Sequence, residues 1–237
     1  MIAPQAIVLK APGTNRDQDV SQALALAGAI PRITLLDELI EQPELLSAAQ
    51  MLVIAGGFSH ADALGAGRLF ALRLMHAAGE QMQAFIEAGK PVIGICNGFQ
   101  VLTSAGLLPG ALGHNDSGSF QCRWVTLDAP SSSSVWTTNI QPIDCPIAHG
   151  EGRFVHDDVH GLAQAGQVAL TYRTNPNGSM ADIAGVCDAS GVVLGLMPHP
   201  ENHILTRQHP LHRSADYRPG VGLGLQLFHN GVHYATQ

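Results

Sequence analysis

AIVLK (residues 6–10), MLVIAGG (51–57) and PVIGI (91–95) are apolar on both faces of an extended chain, and PRITLL (31–36) comes close. A strand with one wet face alternates apolar and polar residues, whereas one buried on both faces does not. Between these runs, DQDVSQALALAGA (17–29), LLDELI, PELLSAA and the long GRLFALRLMHAAGEQMQAFIEAG (67–89) carry helical patterns. Strand and helix in alternation predict an α/β fold: an open, mostly parallel sheet with helices on both faces, as in flavodoxin-like proteins. Past residue 118 the texture changes. SFQCRWVTLDA, QVALTYRT and VVLGLMP have mixed faces and are joined by Ser-rich, Asn-Gly and Ser-Gly turns, which predicts a mixed or antiparallel subregion. SSSS (131–134) reads as a surface loop and LGLQLFHNGVHYA (223–235) as a closing helix. With no repeat and no long polar linker, one domain over 5–237 is expected.

Composition narrows the function. The 237 residues are 46% hydrophobic and 13% charged, enough for a large core, and the formal charge is -7. An acidic chain without a Lys/Arg cluster excludes a phosphate-backbone footprint, so no nucleic acid partner is expected. No apolar run reaches membrane length, and MIAPQAIVLK lacks the pattern of a signal peptide, so no membrane partner is expected. Cys96, Cys122, Cys145 and Cys187 are dispersed without a CxxC pair, which fits free thiols and a cytoplasmic location.

Cys96 ends the run KPVIGIC, with NGFQVLTSAG following as a helix. Reactive groups of open parallel sheets sit outside the carboxyl ends of strands, where helices begin. A helix N-terminus favours a thiolate, and Gly94 and Gly98 allow the tight turn of a nucleophile elbow. Alone, Cys96 fits a buried structural cysteine equally well. A nucleophile needs a base, and MPHPENH (197–203) offers one. Two prolines predict an extended segment, in which His199 and Glu201 share a face and the carboxylate orients the imidazole. HPENH and HDDVH (156–160) also mix His with carboxylates, but neither has the spacing of a zinc site, so no metal is expected. IAGGFSHAD offers bare backbone N–H groups after a strand; no GK[ST] follows, so it is not a P-loop.

Together these residues resemble the class I glutamine amidotransferases. Within them, PGTNRD (12–17), GGFSHAD (56–62), GICNGFQVLTSAGLLPGAL (94–112), PIAHGEGRF (146–154), YRTNPNGS (172–179), DIAGV (182–186), VLGLMPHPENH (193–203) and LFHNGVHY resemble the subfamily of glutaminase subunits serving phosphoribosylformylglycinamidine synthases. The resemblance implies Cys96 as nucleophile, His199 as acid/base and Glu201 as its orienter. It further implies the backbone N–H groups of Gly57 and Asn97 as an oxyanion hole, with Gln100, His149 and Glu151 touching the substrate. The implied reaction is hydrolysis of L-glutamine through a Cys thioester. Its ammonia would pass to a synthetase subunit that uses ATP and Mg, with a small accessory subunit as a further partner. No cofactor is expected in this chain. Relatives commonly have tyrosine where His60 stands, which leaves the triad intact.

Two other readings compete: an amidotransferase serving another synthetase, such as the guanylate, anthranilate or pyridoxal-phosphate systems, and a non-catalytic regulatory subunit. The subfamily stretches oppose the first and the intact Cys96, His199 and Glu201 set the second. Met1 and the closing helix suggest a free-standing subunit. Because the chain lacks a motif for ATP, it is expected to be a weak glutaminase that its partner switches on.

Overall fold

A computed structural model describes residues 2–237. The chain runs through β1 (Gln5–Lys10), α1 (Asp17–Ala27), β2 (Ile30–Leu35), α2 (Leu36–Glu41), α3 (Glu44–Ala48) and β3 (Met51–Ile54). It continues through α4 (Arg68–Glu87), β4 (Val92–Ile95), α5 (Asn97–Ser104), β5 (Ala111–Gly113), β6 (Gln121–Asp128) and β7 (Ile143–His149). The remainder comprises β8 (Arg153–Val155), α6 (Val159–Gln164), β9 (Val168–Tyr172), β10 (Ile183–Cys187), β11 (Val193–Leu196) and α7 (Leu225–Tyr234).

Nine strands form one sheet in the order β2-β1-β3-β4-β11-β10-β9-β6-β7, while β5 and β8 pair separately. Every join from β2 to β11 is parallel, and every join from β11 to β7 is antiparallel. The apolar runs behave as their composition requires: all residues of β3, β4 and β11 are buried. From β1 the chain steps outward to β2 through α1, then returns to the other side of β1 and advances from β3 to β4 through α4. Right-handed crossovers taken in opposite directions place their helices on opposite faces. Accordingly α1 packs against α7, while α4 packs against α2, α3 and α5.

The antiparallel half holds an element absent from the sequence reading. In β7, Ile143, Cys145, Ile147 and His149 are buried and the residues between them are half-buried. That alternation is a strand signature, but Pro142 and Pro146 argue against a strand interior. They are tolerated because β7 is an edge strand, where a missing N–H leaves no ladder bond unmade. The carbonyl of Pro146 instead accepts the His199 N–H at 2.9 Å, drawing β7 over the end of β11.

The serine run is also more than a surface loop. Ser134 is buried and its hydroxyl accepts the Trp136 N–H, while fully buried Trp136 donates its indole N–H to the Val192 carbonyl at 3.0 Å. A methyl at Gly231 would lie 2.2 Å from this indole, so α7 closes on Trp136 where it has no side chain.

Candidate active site

Four neighbouring parallel strands, β1, β3, β4 and β11, end on the same side of the sheet and lead into 11–17, 55–58, Cys96 and 197–201. Adjacent strands lie about 4.8 Å apart, so their ends bring groups far apart in sequence within reach of one another.

Cys96 occupies the corner between β4 and α5 with φ 52 and ψ -106, a conformation that non-glycine residues adopt at a cost of about 1–3 kcal/mol. The corner is held by close packing. A methyl at Gly98 would lie 2.0 Å from the Ile54 carbonyl oxygen, and one at Gly94 would lie 2.5 Å from that of Gly98. The chain turns there because no side chain obstructs it.

The HPE segment is not extended as expected. His199 lies near the β region, but Pro200–Asn202 form a 3-10 turn, which the fixed φ of Pro200 suits at its first position. The turn, rather than a shared strand face, carries Glu201 Oε1 to within 2.7 Å of His199 Nδ1. Both residues are buried, Glu201 completely, and Glu201 Oε2 has no protein partner. Burial pushes the His199 pKa down, but Glu201, together with Cys96, outweighs it and raises the value to about 10. The Cys96 thiol itself donates to the Ala148 carbonyl at 3.9 Å. An imidazolium is held between a carboxylate and a sulfur. Gly56 makes room for it: a methyl there would lie 2.9 Å from His199 Cε1 and 3.4 Å from Cys96 Cβ.

The stretch PGTNRD fixes the neighbouring peptide. The Asn15 and Arg16 N–H groups both donate to the Gly56 carbonyl, at 3.3 and 3.2 Å. In a trans peptide, N–H and C=O point opposite ways, so this clasp turns the Gly57 N–H away from the 11–16 loop. Gly57 has φ 143, and a methyl on it would lie 2.7 Å from the Asn15 nitrogen. Neither the Gly57 N–H nor the Asn97 N–H at the start of α5 has an acceptor among the described residues. The Asn97 side chain joins the two turns, accepting the Ser59 N–H at 3.2 Å and donating to Gln100 Oε1 at 2.9 Å.

Gln100 in turn donates to the Glu151 carbonyl at 2.7 Å, so α5 holds the 149–153 loop. Two asparagines complete that support. Asn115 Oδ1 accepts from Gly152 N–H and lies 3.0 Å from His149 Nδ1, while its Nδ2 donates to the His149 carbonyl. Asn177 donates to the Gly152 carbonyl at 2.8 Å. Because the Asn115 oxygen accepts, His149 Nδ1 carries the proton and Nε2 keeps a bare lone pair. Burial, reinforced by the charge on His199, lowers the His149 pKa to about 4.

A cleft of about 140 Å³ opens among Gly57, Cys96, Gln100, His149 and Glu151, with Asp62 on its rim. The structure therefore brings together every site residue expected from sequence. Asn115, Asn177 and Asp62 were missed as site residues; Asn177 sits in an Asn-Gly pair that reads as a turn. His60 is half-buried, does not line this cleft and begins three successive residues of positive φ, His60, Ala61 and Asp62. The two His/carboxylate clusters stay apart. His203 meets the Asp144 carbonyl and Tyr217, and His160 meets Gln164. Among the described residues no group of three His, Cys, Asp or Glu can hold a metal ion, and no helix is long and apolar enough to cross a membrane.

Residues 3–235 match the family model of the CobB/CobQ-like glutamine amidotransferase domain. The chain is 43% identical to the phosphoribosylformylglycinamidine synthase subunit PurQ of Treponema denticola, with 98% of each chain covered. It is 38% identical to the subunit of the same name from Dehalococcoides mccartyi, again over 98% of each. Among solved structures it is similar to a chain of PurLQS from Thermotoga maritima, with a TM-score of 0.80, 36% identity, and coverage of 98% of this chain and 99% of that one.

Proposed function

The chain belongs to the CobB/CobQ-like glutamine amidotransferase family, and from that membership we propose that it is the glutaminase subunit of a phosphoribosylformylglycinamidine synthase, residues 5–237 acting as one domain. The reaction hydrolyses L-glutamine to glutamate and ammonia. One observation carries the reading: a strained Cys96, a buried His199–Glu201 pair and two unengaged N–H groups converge at the ends of adjacent strands.

The Cys96 sulfur, as thiolate beside protonated His199, attacks the side-chain carbonyl carbon of glutamine and forms the C–S bond. Negative charge moves to the oxygen, where the Gly57 and Asn97 N–H groups stabilise it. Collapse breaks the C–N bond, and the His199 proton leaves with the ammonia. His199, now neutral, then takes a proton from water as that water attacks the thioester, and glutamate leaves as the C–S bond breaks. Glu201 stabilises the imidazolium at each turn of this cycle. The substrate side chain lies along Gln100, under the roof of His149 and Glu151.

The ammonia is consumed on a synthetase subunit, which supplies the ATP and Mg site for amidination of formylglycinamide ribonucleotide. A small accessory subunit completes the assembly, and the setting is the cytoplasm. The test is glutamate release by the chain alone, with the synthetase, and with synthetase plus nucleotide and acceptor. Release that rises with each addition supports the reading. Release that no synthetase alters contradicts the coupled role, and no release under any condition contradicts the glutaminase itself.

A further inference from the structure

The charged side chains lining the small cleft at Cys96 are Asp62 and Glu151, both acidic. Asp62 Oδ1 is buried without a hydrogen-bond partner, although the residue as a whole is half-buried. Burial, and then the charge of Glu151, raise the Asp62 pKa, so the carboxylates feel one another across the opening. His149 lines the same cleft, is 3% exposed, and its Nε2 is also buried without a partner. Fixed as the Nδ1–H tautomer by Asn115, it offers only an acceptor there. His114 Nδ1 lies 4.0 Å from Glu151 Oε1, but its side chain is 84% exposed, too solvated to satisfy the pair.

Unpartnered acceptors at a buried site cost free energy until a donor arrives. An ammonium brings three N–H donors and a positive charge, and the cleft presents two carboxylates and a neutral imidazole nitrogen. Resting on the glutaminase reading, we propose that Asp62, with Glu151 and the Nε2 of His149, binds the α-ammonium of the substrate. Asp62 thereby makes the enzyme select a free amino acid over other primary amides. Asp62 holds a positive φ of 53 at the end of the turn that follows Gly57, which brings its side chain to the lining of this cleft.

The proposal is tested by steady-state kinetics of the assembled complex with L-glutamine and with glutaramate, which keeps the amide and the distal carboxylate but lacks the amine. Asp62→Asn is the informative variant, since Asn is at ease at positive φ. It should raise KM for glutamine about tenfold or more, the worth of one charge-assisted hydrogen bond. It should leave kcat within a few-fold and shrink the preference for glutamine over glutaramate. Unchanged KM and preference overturn the proposal, as does an equal loss of rate with both substrates. A second measurement needs no variant: L-glutamate should protect wild-type Cys96 from alkylation at about tenfold lower concentration than glutarate. Equal protection overturns the proposal. A wild-type complex that releases no ammonia from glutamine refutes the glutaminase reading instead, and is scored separately from either result.

Discussion

The parallel and antiparallel halves of the sheet contribute to the site by different physics. The parallel half works through backbone. Gly57 and Asn97 offer N–H groups, Cys96 is presented by its own dihedral angles, and glycines at 56, 94 and 98 leave room that no side chain may take. The antiparallel half works through side chains. Asn115 and Asn177, from separate loops, hold the 149–153 segment by amide hydrogen bonds and fix the tautomer of His149. Strand ends set the bond-making atoms to within one strand spacing, while a network of buried amides shapes the space in which a substrate is recognised. The strand ends of the first half should therefore control kcat, while the braced 149–153 loop of the second, met by Asp62 from beyond β3, should control KM and stability.

Substitutions sharpen that division. His199→Ala, in the parallel half, should lower kcat by about 10²–10⁴-fold with the chain still folded. Glu201→Gln should follow it with a similar or smaller loss, because the amide fills the space without stabilising the imidazolium. If His199→Ala keeps most of its rate in the complex, the base lies elsewhere and the division fails.

The two histidines should respond to pH with opposite sign. The His199 pKa is raised above the ordinary value of about 6.5, so the folded state holds its proton more tightly than the unfolded chain does. Its contribution to stability is present below pH ~6.5 and is lost as pH rises toward 10. The His149 pKa is lowered to about 4, so its contribution is present above pH ~6.5 and is lost as pH falls toward 4. Urea midpoints from pH 5 to 9 should show His149→Gln losing less stability than wild type on the acid side. His199→Gln should lose less on the alkaline side. Parallel profiles for all three proteins contradict the assignment.

Asn115→Ala should cost roughly 1–3 kcal/mol by leaving Gly152 N–H and two carbonyls short of partners. It should raise KM more than it lowers kcat, and an equal fall of kcat with KM unchanged would place the 149–153 loop in the chemistry. The smallest effect belongs to Cys122→Ser. That thiol is exposed, and its loss should change stability by no more than about 0.5 kcal/mol and leave turnover as it was.

The halves also differed in how far the sequence revealed them. Runs such as MLVI and VIGI are apolar throughout, so those parallel strands and the turn at Cys96 were legible from composition, whereas VLGL was grouped with the mixed-faced strands although β11 is buried throughout and pairs parallel with β4. The pairing of His199 with Glu201 was legible too, though through the wrong local geometry: Pro200 starts a 3-10 turn. β7 was hidden because an edge strand accepts prolines that would exclude a central one. Asn115 was hidden for a different reason. A buried amide that braces two loops has the same local signature as an exposed turn residue, and only the contacts from His149 and Gly152 separate them. Asp62 was passed over because its relation to Glu151 spans residues with no sequence proximity.

The central claim is that strand geometry turns one of four thiols into the nucleophile. Three are buried, Cys96, Cys145 and Cys187, and only Cys122 is exposed. Burial raises the pKa of Cys145, with Glu201 and Asp144 adding to it, and burial raises that of Cys187, so both should be inert. The most direct measurement is peptide mapping after treatment with 6-diazo-5-oxo-L-norleucine, a glutamine-shaped electrophile, in the assembled complex with and without L-glutamine. The account predicts a single stoichiometric adduct on buried Cys96, suppressed by glutamine and lost together with activity in Cys96→Ser. An adduct led by exposed Cys122, or an active serine variant, would contradict it.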